Sequence, residues 1–283
     1  MSEKIFDAHI HVGFCEGQVI KQEKDTFYSV DTVLQYLDAH QIQKGLVFPF
    51  PNPTASCLKT NKYLLQTLQE GKGRLYGLIY FSWKENLREL AKFNHSLLIG
   101  IGEIHPSFSQ RFLSEFPFEL LKIVKERKWI LLIDSSVSFY GHPKYVVEFA
   151  KRNPDIRIIC AHFARLFHRE ILELSRMENV WIDISGISLL SRDRYRLAPP
   201  ELRDFSLKND LCLERILEYL LKHFGEKRIV WGSDFPFPRI FGKTEDMDFY
   251  INQEIDFLKK NELTSILGNN MECLVNEVVT KAL

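Results

Sequence analysis

Apolar residues in this chain fall into two spacings that alternate from end to end. Short, almost continuously apolar blocks predict buried strands at 4–10, 44–48, 74–80, 98–103, 129–134, 156–161, 180–184 and 228–233. Between them, apolar residues recur at three- and four-residue intervals, the spacing of an amphipathic helix. SVDTVLQYLDAH (29–40), ENLRELAKFNH (85–95) and FELLKIVKERK (118–128) are examples. PKYVVEFAKRN (143–153), REILELSRMEN (169–179) and LCLERILEYLLKHFG (211–225) continue the series. About eight strand–helix units predict an α/β fold, a (β/α)₈ TIM-like barrel. A doubly wound open sheet has the same local pattern and is the alternative. No break in composition divides the 283 residues, so one domain spanning 1–283 is expected. The stretch 186–210 is long for a connection and carries Arg192, Arg194, Arg196 and Arg203. After a barrel strand, such a loop would lie on the active-site face.

The first strand adds chemistry to this pattern. In IFDAHIHVG, a strict two-residue alternation puts Phe6, Ala8, Ile10 and Val12 on one face. Asp7, His9 and His11 fall on the other, with Asp7 deeper and suited to a supporting role. The same polar signature recurs at later strand ends: Glu103 and His105, Asp134, His162, Asp183 with Ser185, then Asp234. Singly, each has an ordinary explanation as a helix cap, turn former or solvated side chain. In a parallel barrel, however, all C-terminal strand ends meet at one mouth. Imidazoles and carboxylates gathered there suit a divalent ion, Zn²⁺ first and Mn²⁺ as the alternative.

Composition narrows the setting. Hydrophobic residues make up 45% of the chain and Phe alone numbers 22, enough for a large core. Lys plus Arg and Asp plus Glu are both 37, so there is no basic excess to favour nucleic acid or an anionic membrane. The five cysteines are scattered without a CxxC pair, which fits a reducing compartment. The expectation is a cytoplasmic protein acting on a small molecule, with no nucleic-acid or membrane partner. Barrels of this kind often pair, so a homodimer is compatible with the sequence.

The ordered set DAHIH, AHF, NVWIDISG and RIVWGSDFPF, with ILGNNMECLV near the end, resembles the amidohydrolase superfamily. The nearest branch is the amidohydrolase-related one that includes aminocarboxymuconate-semialdehyde decarboxylase. The resemblance implies a metal-dependent hydrolase fold with His9, His11 and Asp234 as metal ligands. His162 would bind a second metal or assist catalysis. Where the branch carries a further histidine ligand, this sequence has Asp134. GIGEIHP resembles the TatD-like hydrolases, in which the equivalent of Glu103 can bridge two metals, so one ion or two is left open.

A divalent ion lowers the pKa of a bound water from about 16 towards about 7. Asp234 would move the proton and His162 would steady the developing oxyanion. The expected reaction is hydrolysis of an amide, ester or lactone. Arg165 and Arg239 are the candidate contacts to an anionic substrate. The rival readings are non-oxidative decarboxylation of an unsaturated or aromatic acid, a phosphodiesterase or nuclease, and a barrel that binds without turnover.

Overall fold

The computed structural model describes residues 4–16, 25–51, 56–83, 87–136, 138–166, 168–186, 213–237 and 244–279. Nine strands form one sheet: β1 (Phe6–Cys15), β2 (Thr26–Tyr28), β3 (Lys44–Pro49), β4 (Leu75–Ile79), β5 (Leu98–Ile104), β6 (Ile130–Ile133), β7 (Arg157–Cys160), β8 (Val180–Asp183) and β9 (Ile229–Val230). Their order is β2-β1-β3-β4-β5-β6-β7-β8-β9. Every neighbouring pair from β1 to β9 is parallel. The sheet then closes on itself. Ala8 N–H donates to the Trp231 carbonyl at 3.0 Å and His11 N–H to that of Phe235 at 2.7 Å. Eight parallel strands in a closed ring are the predicted (β/α)₈ barrel. β2 is an addition that the periodicity did not predict. It pairs antiparallel with Gly13, Phe14 and Cys15, extending β1 past the barrel mouth.

The helices cover the outside of the ring: α1 (Val30–Ala39), α2 (Cys57–Glu70), α3 (Leu87–Ala91), α4 (Pro106–Ser109), α5 (Phe118–Glu126), α6 (Pro143–Arg152), α7 (His168–Leu174) and α8 (Leu213–Phe224). Two more, Thr244–Lys260 and Asn270–Val279, complete the layer. Their starts carry local signals. Ser29 Oγ accepts the Thr32 N–H at 3.2 Å to cap α1, and Pro143 opens α6 with its φ already helical. The strands are covered on both faces, so their Ile, Leu and Val side chains are nearly all buried. Among the described residues, no helix is long and apolar enough to cross a membrane.

β1 departs from simple alternation at one place. Its register against β3 slips between Asp7 and Ile10. The cause is the Asp7 side chain, whose Oδ1 accepts the His9 N–H at 3.0 Å in place of a ladder bond. The bulge reverses the faces assigned to Phe6 and Asp7. Phe6 stacks across β3 on Tyr76 of β4, ring centroids 5.9 Å apart. Asp7 turns instead to the helical layer, where its Oδ2 accepts the Tyr36 hydroxyl of α1 at 2.7 Å. His9 and His11, beyond the bulge, face the barrel interior.

Candidate metal centre

The strand-end residues converge. His9 Nε2 lies 3.3 Å from His11 Nε2. Asp234 Oδ1 stands 3.4 Å from the first and 3.5 Å from the second. Glu103 reaches in from β5, with Oε1 3.8 Å from His9 Nε2 and Oε2 3.8 Å from His11 Nε2. His162 follows β7, with Nε2 3.6 Å from Glu103 Oε1. All five side chains are buried.

Each is aimed by a neighbour. Asp183, at the end of β8, accepts from His9 Nδ1 at 2.6 Å, which turns Nε2 towards the others. The other oxygen of Asp183 accepts the Ser185 N–H at 2.6 Å, so the carboxylate is itself fixed. Ser185 presents both its hydroxyl and its carbonyl to His162 Nδ1, each at 3.1 Å. A carbonyl requires N–H at that atom and a hydroxyl can donate to it, so Ser185 supports either tautomer. Phe48, Phe50 and Phe237 ring His11 with centroids 4.7–5.1 Å away. Asp234 sits at φ 59, a left-handed conformation that aspartate tolerates better than most residues. Gly232, two residues earlier, passes so close to His9 that a Cβ there would lie 2.5 Å from the His9 Cβ.

The buried groups shift one another strongly. Burial opposes a charge on His9, yet Asp183, Glu103 and Asp234 outweigh it and push the imidazole up to about 10. Burial and the neighbouring His9 charge press His11 down to about 3. Burial raises Asp234 to about 6 against the pull of His162 and His9. Burial also opposes ionisation of Glu103, but His105, His9 and His162 hold it well below the usual carboxylate range. Glu103 Oε1 and Asp234 Oδ1 are buried and find no hydrogen-bond partner among the described residues. A divalent ion fits this donor set. Tetrahedral coordination with bonds of about 2.0–2.1 Å gives ligand separations of about 3.3–3.4 Å. The triangle of His9, His11 and Asp234 has edges of 3.3, 3.4 and 3.5 Å.

The other sequence candidates are arranged differently. Asp134, after β6, gives its Oδ1 to Arg165, from Nη2 at 2.6 Å and Nε at 3.2 Å. Burial opposes its charge, and the guanidinium holds it well below the usual range. Arg165 Nε also donates to the Ser135 carbonyl at 2.8 Å. His105 stands between the two carboxylates, 2.8 Å from Glu103 Oε2 and 3.3 Å from Asp134 Oδ2. Against the cost of burial, that pair raises it to about 9. Glu103, His105 and Asp134 thus form a second group with metal-like spacing. Asp134 lies outside the two groups that contain His9. Five successive residues, His162 to Leu166, take left-handed angles with φ of 50, 47, 48, 56 and 57°. The cost for an L-residue is about 1–2 kcal/mol each. Arg239 and the 192–203 arginines lie outside the described residues.

His105 and Ser185 were visible in the sequence as strand-end polar residues. Their links to Glu103, Asp134 and His162 depend on strands distant in the chain. Asp183 is the clearest case of an underread signal. An aspartate two residues before a serine at a strand end resembles a turn former until His9 is placed beside it.

A closed (β/α)₈ barrel whose C-terminal mouth gathers imidazoles and carboxylates defines the class of barrels with a candidate metal centre at the strand ends. The family model described as amidohydrolase matches residues 35–272, and the chain belongs to that family. Its members are enzymes, hydrolases or decarboxylases. No curated protein matches the sequence. Several solved structures are similar in fold, among them these three. One is a probable 2-pyrone-4,6-dicarboxylic acid hydrolase from Acinetobacter baumannii with citric acid bound: 19% identity, TM-score 0.66, covering 96% of this chain and 99% of that one. Another is an amidohydrolase from Burkholderia multivorans with bound zinc: 15% identity, TM-score 0.66, covering 96% and 99%. The third is 5-carboxyvanillate decarboxylase from Sphingomonas paucimobilis: 12% identity, TM-score 0.59, covering 97% and 99%.

Proposed function

We propose that this amidohydrolase-family chain is a metal-dependent hydrolase that cleaves an amide, ester or lactone bond in a small, anionic substrate. The supporting observation is the buried triangle of His9 Nε2, His11 Nε2 and Asp234 Oδ1, with edges near those of a tetrahedral site. These three residues and Glu103 would hold one divalent ion, with zinc our choice because imidazole and carboxylate together suit it. Such an ion supplies a Lewis acid that polarises an oxygen and lowers the pKa of water.

The protein groups do the remainder. Asp183 fixes one His9 proton on Nδ1, so that Nε2 is the nitrogen that would give up its proton to face the ion. Asp234, whose Oδ1 faces both imidazole nitrogens at 3.4 and 3.5 Å, keeps Oδ2 to accept a proton from a water at the site and return it to a leaving group. His162 is held neutral by burial and the Arg165 charge. With Nδ1 accepting from the Ser185 hydroxyl, its Nε2–H becomes a donor to a developing oxyanion. Arg239 and the 192–203 arginines of the sequence are the candidate contacts that support an anionic substrate.

The second reading is non-oxidative decarboxylation of an unsaturated or aromatic acid, supported by the likeness to 5-carboxyvanillate decarboxylase. The test combines metal analysis with isotope tracing. Purified protein should carry about one equivalent of metal, and His9→Ala should carry almost none. Turnover of a small acid library in H₂¹⁸O should put one label in the product. Release of CO₂ without label would replace hydrolysis with decarboxylation, and a protein that binds no metal on titration would remove both.

A further inference from the structure

The segment that presents His162 is strained backbone beside the site. His162, Phe163, Ala164, Arg165 and Leu166 are all left-handed, and none is glycine. Such a run persists only where its surroundings over-determine it. Phe163, Ala164 and Leu166 are anchored by burial at 0, 1 and 0% exposure. Arg165, the one charged residue of the turn, is also buried, and its described polar partners all come from the end of β6. Asp134 Oδ1 takes Nη2 and Nε, and the Ser135 carbonyl takes Nε as well. The turn is therefore tied sideways to the neighbouring strand end. At its other end His162 is tied by Ser185 to the strand after it.

We propose that Asp134 and Arg165 are a positioning pair. Their buried ion pair clamps the left-handed turn to the β6 end and thereby sets where His162 offers Nε2. In this arrangement Asp134 serves the pair and not the metal, because its Oδ1 is committed to Arg165 and its Oδ2 faces His105 Nδ1 at 3.3 Å. Arg165 in turn is not the substrate's anion contact, because its charge is already neutralised. Only the statement about ligation rests on the metal-centre reading above; the clamp itself does not.

Hydrogen exchange and metal titration together separate these roles. Asp134→Asn and Arg165→Met are compared singly and combined, with the amides of β5, β6 and β7 as the internal measure of an intact fold. The amides of 163–166 should exchange about tenfold faster or more in each single variant. The double variant should be no worse than either single one, since both remove the same contact. In ¹⁵N-histidine spectra, the His162 ring signals, assigned by their loss in His162→Gln, should move in both. Zn²⁺ stoichiometry should stay the same in both, with any change in affinity equal from the two ends of the pair. If a single replacement unfolds the chain by leaving one buried charge, the double variant, which leaves none, carries the exchange and ring-signal measurements. Unchanged exchange at 163–166, or metal affinity lost in Asp134→Asn but kept in Arg165→Met, would overturn the proposal. If the protein binds no metal at all, the exchange and ring signals still decide the clamp.

Discussion

Asp7 ties together the two segments that carry the proposed ligands, and its removal can be given a magnitude. Its Oδ1 accepts the His9 N–H at 3.0 Å and the Ser233 N–H at 2.9 Å, while Oδ2 accepts the Tyr36 hydroxyl at 2.7 Å. All four residues are buried. Asp7→Ala leaves three donors without an acceptor, at about 1–3 kcal/mol for each. The Tyr36 hydroxyl can rotate to another partner, so the expected loss is about 3–6 kcal/mol, a large part of a typical total of about 5–15. Asp7→Asn keeps an oxygen for both N–H groups and offers an amide N–H to the tyrosine oxygen. It should therefore cost about 1 kcal/mol, as should Tyr36→Phe. Urea unfolding of the three variants at fixed pH measures these differences.

The comparison of wild type with Asp7→Asn also has a sign in pH. Burial raises the Asp7 carboxyl above its ordinary 3.8, against the pull of its hydrogen bonds. A raised acid makes the folded state bind the proton more tightly, so wild type bears a penalty that grows as pH climbs above 3.8 and vanishes below it. Asp7→Asn, which has no charge to bury, should thus gain on wild type as pH rises from 3.8. Asp7→Ala within 1 kcal/mol of wild type, or Asp7→Asn as damaging as Asp7→Ala, would refute this account of the clamp.

Other predictions concern the packing and charge of the metal centre. Gly232→Ala would bring a Cβ to 2.5 Å from the His9 Cβ and 2.9 Å from its nitrogen, and Asp183 blocks retreat of the ring. It should cost about 1–3 kcal/mol in urea unfolding and weaken Zn²⁺ binding about tenfold or more; unaltered metal affinity would contradict the close approach. Metal loading should release one proton at pH 8. Although burial resists it, the surrounding carboxylates keep His9 protonated to about 10, while Asp234 has lost its proton above about 6. Between those values the apparent affinity should rise about tenfold per pH unit, and calorimetry in buffers of different ionisation enthalpy counts the proton directly. A count of zero would show that His9 is neutral before the metal arrives.

The barrel was legible because its signal is local. A strand buried on both faces must be apolar, and a helix on its outside must be apolar on one side. WILLID and VWIDI, with the helices between, therefore declare the class without reference to one another. The identities at the strand ends were legible for a related reason: the topology alone sends every C-terminal strand end to one mouth. His9, His11, Glu103, His162 and Asp234 could be grouped from sequence order and are found together.

What only the tertiary structure decided is which of these groups face each other and what each is already spending on its neighbours. A strict alternation sent Asp7 inward with the histidines, but its own side chain makes the bulge that turns it outward. Asp134 had the right chemistry and place for a ligand. Its disposition depends on Arg165, a residue 31 positions away. Composition fixes which charges a chain carries, but a buried carboxylate's role is set by the cation nearest to it, and that distance exists only after the strands have closed into a ring.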